Sequence, residues 1–255
     1  MGTFGNYSHY YDLLYKDKDY KVEVQYVIKL LKQHVQERKS ILELGCGTGQ
    51  HAFLFAESGY KVHGIDSSKE MLKRAKERSG EFQVESSCVP SFEHGDIRNY
   101  RTENRFDAVV SLFHVMSYQT ANQDLQAAFS TARYHLKAGG IFIFDCWYGP
   151  AVLSDRPVVR IKRLENEMIK ITRIAEPVLY PNENCVDVNY HIFILNKETG
   201  SVEEVRETHK MRYLFHPEIE IIFKQNGFKC VAAEEFITGR ESGFDAWGCC
   251  FIGRA

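Results

Sequence analysis

Ser40-Ile41-Leu42-Glu43-Leu44-Gly45-Cys46-Gly47-Thr48-Gly49-Gln50 is the stretch around which this 255-residue chain is organised. The apolar residues Ile41, Leu42 and Leu44 read as a buried parallel strand, because a glycine cluster bounds them and a helical pattern follows. Gly45, Gly47 and Gly49 let the backbone turn sharply and leave no Cβ where a ligand would lie against the main chain. The helix after them aims its first N–H groups back at the same spot. This is the layout of a nucleotide-type site at the first βα turn of a doubly wound sheet. The third glycine comes one residue earlier than in the G-x-G-x-x-G loop that cradles a pyrophosphate. Glu43 sits just before the turn, and a carboxylate there suits a ligand that brings positive charge and no phosphate. The plain alternative is a tight βα turn with no ligand, so the downstream residues decide.

Those residues fall in a regular order. Residues 51–58 continue as a helix that Gly59 ends. Lys61-Val62-His63-Gly64-Ile65 is a second strand ending at Asp66, an acid placed to accept from both hydroxyls of a ribose. Ser67 or Ser68 caps the next helix, with Met71 and Leu72 turned inward. Residues 81–90 are longer than a minimal link, and no function is read from them. Residues 92–97 restore the pattern as a third strand edge ending in Gly95-Asp96-Ile97. Residues 106–113 are a near-continuous apolar run expected at the sheet centre. The residues after it, His114 to Tyr118, should open onto the cleft, since ligands sit outside the carboxyl ends of such strands. A helix over 122–136 and a break at Lys137-Ala138-Gly139-Gly140 lead to a fifth strand over 141–145.

Beyond Pro150 the helix–strand alternation stops. Residues 158–164, 168–174, 186–195 and 202–215 alternate apolar and polar side chains between turn-forming segments, which predicts an antiparallel insert over 151–215. A helix from Pro217 to Gln225 and strands over 228–236 and 246–252 resume the earlier pattern. The fold class is therefore α/β, a Rossmann-like, doubly wound, mostly parallel sheet with an antiparallel β insert. A single domain over 1–255 is expected, with residues 1–39 as an aromatic and helical segment over the cleft. Within that segment Tyr7, Tyr10, Tyr11, Tyr15 and Tyr20 suit a wet, half-buried pocket wall or a simple aromatic clamp.

A formal charge of −2 gives no basic field that would point to nucleic acid. No apolar run reaches membrane-spanning length, and the N-terminus lacks a secretory pattern. The seven cysteines are scattered, with no C-x-x-C pair and no histidine at metal-ligand spacing. Reduced thiols in a cytoplasmic enzyme fit best, with no metal and no membrane partner. The vicinal Cys249-Cys250 reads as strand packing rather than a redox pair.

E-L-G-C-G-T-G at 43–49 with Asp66, Asp96-Ile97 and the Leu136-Lys137-Ala138-Gly139-Gly140 passage resembles the class I S-adenosylmethionine (SAM) methyltransferases over residues 40–145. The resemblance implies SAM as cofactor and S-adenosylhomocysteine as product. It implies a cofactor site drawn from Glu43, Gly45, Cys46, Gly47, Asp66, Ser67, Met71, Asp96, Ile97 and Leu112. Asp96 would accept from the adenine amino group while the backbone N–H of Ile97 reaches the ring.

A narrower likeness covers nearly the whole chain. Tyr7-Ser8, Tyr11-Asp12-Leu13, Lys18-Asp19-Tyr20, Asp145-Cys146-Trp147-Tyr148-Gly149-Pro150 and Thr208-His209-Lys210 resemble the deoxyaminosugar N-methyltransferases, which act on nucleotide-linked amino sugars. On that likeness Tyr11 and Tyr20 would help hold the cofactor carboxylate and Tyr7 would lie near the transferred methyl. The histidine those enzymes carry after the fourth strand is replaced here by Tyr118, with His114 elsewhere in the loop, so no general base carries over. His114 and Tyr118 stand as candidates for a base or for pocket residues. Trp147, Tyr148 and His191 are candidates for the acceptor site, and His209 is structural or touches the acceptor. A small-molecule acceptor, nucleotide-linked and methylated on nitrogen, is the preferred reading for a monomer or homodimer. An oxygen acceptor and a non-catalytic SAM-binding role are the rivals.

Overall fold

The computed structural model describes residues 11–35, 40–81 and 89–255, and of residues 11, 12 and 81 the backbone alone. A short α1 (Tyr11–Leu14) and a longer α2 (Tyr20–His34) precede β1 (Ser40–Leu44). Then come α3 (Gln50–Glu57), β2 (Lys61–Asp66), α4 (Lys69–Glu81), β3 (Ser91–His94), β4 (Phe106–Ser111), α5 (Asn122–His135) and β5 (Leu136–Tyr148). A short α6 (Gly149–Ser154) leads into β6 (Arg160–Glu165), β7 (Ile169–Tyr180), β8 (Cys185–Asn196) and β9 (Val202–Leu214). The described chain closes with α7 (His216–Gln225), β10 (Lys229–Glu235) and β11 (Gly248–Arg254).

Strand order β3-β2-β1-β4-β5 is parallel throughout, and β11 adds antiparallel to β5 with β10 beyond it. The order reverses between β1 and β4, so the carboxyl ends of these strands open a crevice there. Side chains alternate across the sheet and build two cores. On one face Leu42, Leu44, Val109, Phe142 and Phe144 pack with Phe129 of α5 and Phe223 of α7. On the other, Ile41, Val62, Val110, Ile141 and Ile143 pack with Val27 of α2 and Phe55 of α3. Cys249 joins the first core and Cys250 the second, as the alternation requires.

Strands β6 to β9 form an antiparallel meander joined to the parallel sheet at one point. Pairing of β4 with β5 ends at Ser111 opposite Phe144, whereas β5 runs on to Tyr148. The vacated edge is taken by the end of β9, with Trp147 opposite Tyr213 and Tyr148 opposite Leu214. That junction swings the meander across the carboxyl end of β4, so β8 and β9 face the crevice. Among the described residues no helix is long and apolar enough to cross a membrane.

Candidate active site

The crevice holds a cavity of about 890 Å³, near the top of the ~300–1,000 Å³ range of small-molecule sites. Its two ends differ in chemistry. One is built by the turns after β1, β2 and β3, the other by the loop after β4, Trp147 of β5 and the near face of β8 and β9.

At the first end the glycine loop is pinned from below. The N–H groups of Gly45 and Cys46 both donate to the carbonyl of Ile65, at 2.8 and 3.0 Å. Gly45, Gly47 and Gly49 all have positive φ, a region in which a Cβ is strained. Gly47 donates its N–H to Oδ2 of Asp66, while Oδ1 accepts from Ser68 N–H, each at 2.8 Å. Burial raises the Asp66 pKa against the lowering effect of these donors. Asp96 is different: a two-pronged bond to the Arg98 guanidinium holds its pKa below the usual range. Arg98 also reaches Asp124 at 3.2 Å.

Glu43 is only 1% exposed and does not reach the cavity wall. Its Oε2 has no hydrogen-bond partner among the described residues, and burial, with Asp66 nearby, pushes its pKa up to about 8. Oε1 lies 3.7 Å from Nδ1 of His51, whose Nε2 is 2.7 Å from Glu23, which in turn bonds Lys18. The Lys18 ammonium sits 4.8 Å from the Tyr20 ring centroid and 4.3 Å from that of Phe113. This end therefore gathers carboxylates beneath a glycine turn, and its wall guanidinium is already engaged by acids. Such a donor set fits a cationic nucleoside and offers little to a pyrophosphate.

At the second end, Phe113 and His114 both take left-handed backbone conformations, with φ of 64° and 60°. The turn they make directs the His114 N–H to both oxygens of buried Asp145, at 3.2 and 3.1 Å, and brings Nδ1 within 2.7 Å of Oδ2. Four residues on, the Tyr118 hydroxyl is 2.8 Å from Nδ1 of His209, whose Nε2 is 3.2 Å from Oε2 of Glu207. Tyr190 meets the His209 ring edge-on at 4.9 Å. The Tyr15 ring packs edge-on against Phe113 at 5.0 Å.

Of the residues expected from sequence, Tyr20, Gly45, Cys46, Gly47, Asp66, Ser67, Met71, Asp96, Ile97 and Leu112 line the cavity, as do His114, Tyr118 and Trp147. Tyr7 lies outside the described residues; Tyr11 opens α1, and its side chain is outside them too. Tyr148 and His191 do not line the cavity, for the same reason. Each is the odd neighbour of a lining residue on a strand, and successive strand side chains point to opposite faces. Trp147 faces the cavity, so Tyr148 turns into the core under α7; Tyr190 faces it, so His191 turns outward to Glu204 at 2.7 Å. Sequence reading did not assign Tyr190, Val188, Met211, Gln119 or His51 to the site. The signal for the first three lay in register: Val188 pairs with His209 and Val186 with Met211, so one cavity-facing His on β9 identifies its cross-strand neighbours. Among the described residues no cluster of three or more His, Cys, Asp and Glu is arranged to hold a metal ion.

Residues 41–140 match the family described as a methyltransferase domain. Over 240 residues the chain is 25% identical to dTDP-3-amino-3,4,6-trideoxy-alpha-D-glucopyranose N,N-dimethyltransferase of Streptomyces venezuelae, spanning 93% of this chain and 94% of that protein. It is likewise 25% identical, over 241 residues, to dTDP-3-amino-3,6-dideoxy-alpha-D-glucopyranose N,N-dimethyltransferase of Streptomyces fradiae, spanning 94% and 88%. The fold superimposes with a TM-score of 0.80 on an S-adenosylmethionine-dependent methyltransferase from Clostridium acetobutylicum, at 21% identity over 98% of this chain and 97% of that one.

Proposed function

Because the chain is a class I S-adenosylmethionine-dependent methyltransferase, we propose that it methylates the amino group of a nucleotide-linked sugar. Bound in the crevice, SAM supplies a methyl group on a positively charged sulfur. The glycine turn, with buried Glu43 beneath it, would face its cationic part, Asp66 and Ser67 its ribose, and Asp96, Ile97, Met71 and Leu112 its base. Tyr20, which lines the cavity, would stand beside its methionine end.

The observation that carries the acceptor assignment is the composition of the second end of the cavity. Trp147, Tyr118, Tyr190 and His209 present aromatic faces with a few hydroxyl and imidazole groups among them. A sugar ring has that same mixture of C–H faces and polar edges, and a site of this kind fixes orientation with few polar contacts. The names of the Streptomyces relatives, both specific to dTDP-amino sugars, support the choice of nitrogen. An amine with a free lone pair needs chiefly to be held in line with the methyl carbon, a task of position rather than of acid–base chemistry.

The test is acceptor profiling. The purified protein is incubated with SAM and dTDP-3-amino-3,6-dideoxyglucose, or with the counterpart carrying a hydroxyl at the same carbon. Methyl gain on nitrogen, read by mass spectrometry, is expected with the first only. Turnover confined to the hydroxyl compound would move the assignment to oxygen. Uptake of SAM with neither sugar methylated would leave a binding protein.

A further inference from the structure

We infer that Arg98 is a positioning residue for base recognition: its guanidinium fixes the Asp96 carboxylate so that one acceptor site remains for a single N–H donor, which selects a cofactor whose base carries an amino group. The role depends on Asp96 being the contact to the base, as proposed above.

The count of donors carries it. An ionised carboxyl has about four lone-pair sites on its two oxygens and no proton to give. Oδ1 of Asp96 accepts from the Arg98 backbone N–H and from its Nε–H, each at 2.9 Å. Oδ2 accepts from Nη2 and shares the Nε proton at 3.0 Å. Three N–H groups of one residue therefore fill three sites, and the fourth is on Oδ2. Asp96 lines the cavity with its side chain 29% exposed, so the remaining capacity belongs to a ligand there.

A guanidinium fork holds a carboxylate in one plane, which an ammonium, a point charge on a flexible stem, does not do. Arg98 is itself held at a second point, where Nη1 donates to Oδ1 of Asp124 in the first turn of α5, at 3.2 Å. The direction of Asp96 is thus set before any ligand arrives. Exposed ion pairs add little to stability, and with Arg98 45% exposed the use of this one lies in orientation rather than in holding the fold. The same bond keeps the carboxyl ionised, since Arg98 holds its pKa below the usual range although burial raises it. A neutral carboxyl would carry an O–H donor of its own and lose the distinction. The adenine amino group supplies one N–H to the remaining site; a purine with hydrogen in its place leaves that site empty.

The test compares S-adenosylhomocysteine with its 6-deamino analogue, in which hydrogen replaces the amino group of the base, by calorimetry on the full chain and on the variants Arg98→Met and Arg98→Lys. Wild type should bind S-adenosylhomocysteine about tenfold or more tighter than the analogue. Arg98→Met should cut that ratio to about threefold or less, by weakening S-adenosylhomocysteine more than the analogue. Arg98→Lys, which keeps the charge without the fork, should also fall short of the wild-type ratio. A purely structural Arg98 would weaken both ligands alike and leave the ratio unmoved. Independently of any variant, nitrogen-15 NMR of the wild type should show the Arg98 Nε–H protected from exchange both free and with S-adenosylhomocysteine bound, since the fork stays closed on Asp96 when the base arrives. The wild-type ratio retained in both variants would overturn the role of Arg98 and leave Asp96 as the base contact. So would loss of that protection on binding. A wild-type ratio near unity, or no binding of S-adenosylhomocysteine, would overturn the Asp96 reading and the role of Arg98 with it.

Discussion

The backbone N–H of Gly47 donates to a carboxylate oxygen of Asp66 at 2.8 Å, tying the glycine turn after β1 to the tip of β2. The other oxygen of Asp66 accepts from Ser68 N–H at the start of the next helix. One side chain thus sets the relative position of two turns that frame the cofactor end. Asp66→Ala removes both anchors and the proposed ribose contact. SAM affinity should fall by about 1–3 kcal/mol, and calorimetry measures it directly. Asp66→Asn keeps one acceptor oxygen and should lie between the two. An unchanged dissociation constant in the alanine variant would separate Asp66 from the ribose.

Glu43 makes ligand-free stability depend on pH. Its pKa is raised to about 8 in the folded chain by burial and by Asp66, while in the unfolded chain it returns to about 4.3. Between those values the folded state holds a proton that the unfolded state has released. Stability from this residue is therefore greatest at acid pH and declines as pH rises towards 8, by up to about 1.4 kcal/mol per pH unit. Glu43→Gln should melt at a temperature that varies less from pH 5 to pH 8, and should be the more stable protein at pH 8. A cation bound at the turn favours the ionised carboxylate, so SAM should flatten the wild-type curve. Parallel melting profiles for the two proteins, with and without ligand, would count against an ionisable, buried Glu43.

Much of this site was legible because local patterns carry it. The acid-then-glycine turn, the acids ending β2 and following β3, and the helix–strand alternation all have short-range signals, and the proposed cofactor contacts from Glu43 to Leu112 lie at or just after strand ends, save Met71 in the first turn of α4. The antiparallel meander was legible from two-residue alternation, although β7 runs to Tyr180, past Pro177, where a proline lowers the expectation of a strand. What local pattern does not carry is which face of that meander looks into the cavity. The face is decided by the junction of Trp147 with Tyr213, a contact between residues far apart in sequence. Hence Tyr190, and not its neighbour His191, faces the cavity. Trp147 and Tyr148 divide in the same way on β5, Trp147 lining the cavity and Tyr148 not.

The glycines at 45 and 47 should behave differently when given a side chain. Both have positive φ, so alanine at either position costs about 1–2 kcal/mol in backbone strain. At Gly45 an added Cβ would also stand 2.5 and 2.7 Å from the two methyl carbons of Val115, in the loop after β4. At Gly47 it would meet no protein atom within 4 Å. Gly45→Ala should therefore lower the melting temperature clearly more than Gly47→Ala. If a ligand lies against the loop, Gly47→Ala should still lose SAM affinity by more than its strain explains. Calorimetry and a thermal melt on both variants read the two effects separately, and a Gly47→Ala protein with full affinity would place the ligand elsewhere.

His114 joins two demands at one residue, a left-handed backbone and a charge partner for Asp145. Asp145 is fully buried, which on its own raises a carboxyl pKa; the ion pair with His114 and the His114 N–H outweigh burial and hold it below the usual range. A depressed carboxylate stabilises the fold above its unfolded pKa of about 3.9, and that contribution is lost as pH falls through the folded value. His114→Ala leaves the strained φ in place and removes the imidazole, at a cost of about 1–3 kcal/mol at pH 7. His114→Gly removes the imidazole and relieves the backbone, so it should be the more stable of the two by about 1 kcal/mol. Without the ring, burial dominates at Asp145, and the gain in stability between pH 4 and pH 7 should shrink in both variants relative to wild type. Urea unfolding at those two pH values measures the difference. Equal pH dependence in all three proteins would mean that the His114 imidazole contributes nothing to the charge on Asp145, and that its N–H alone holds the carboxylate ionised.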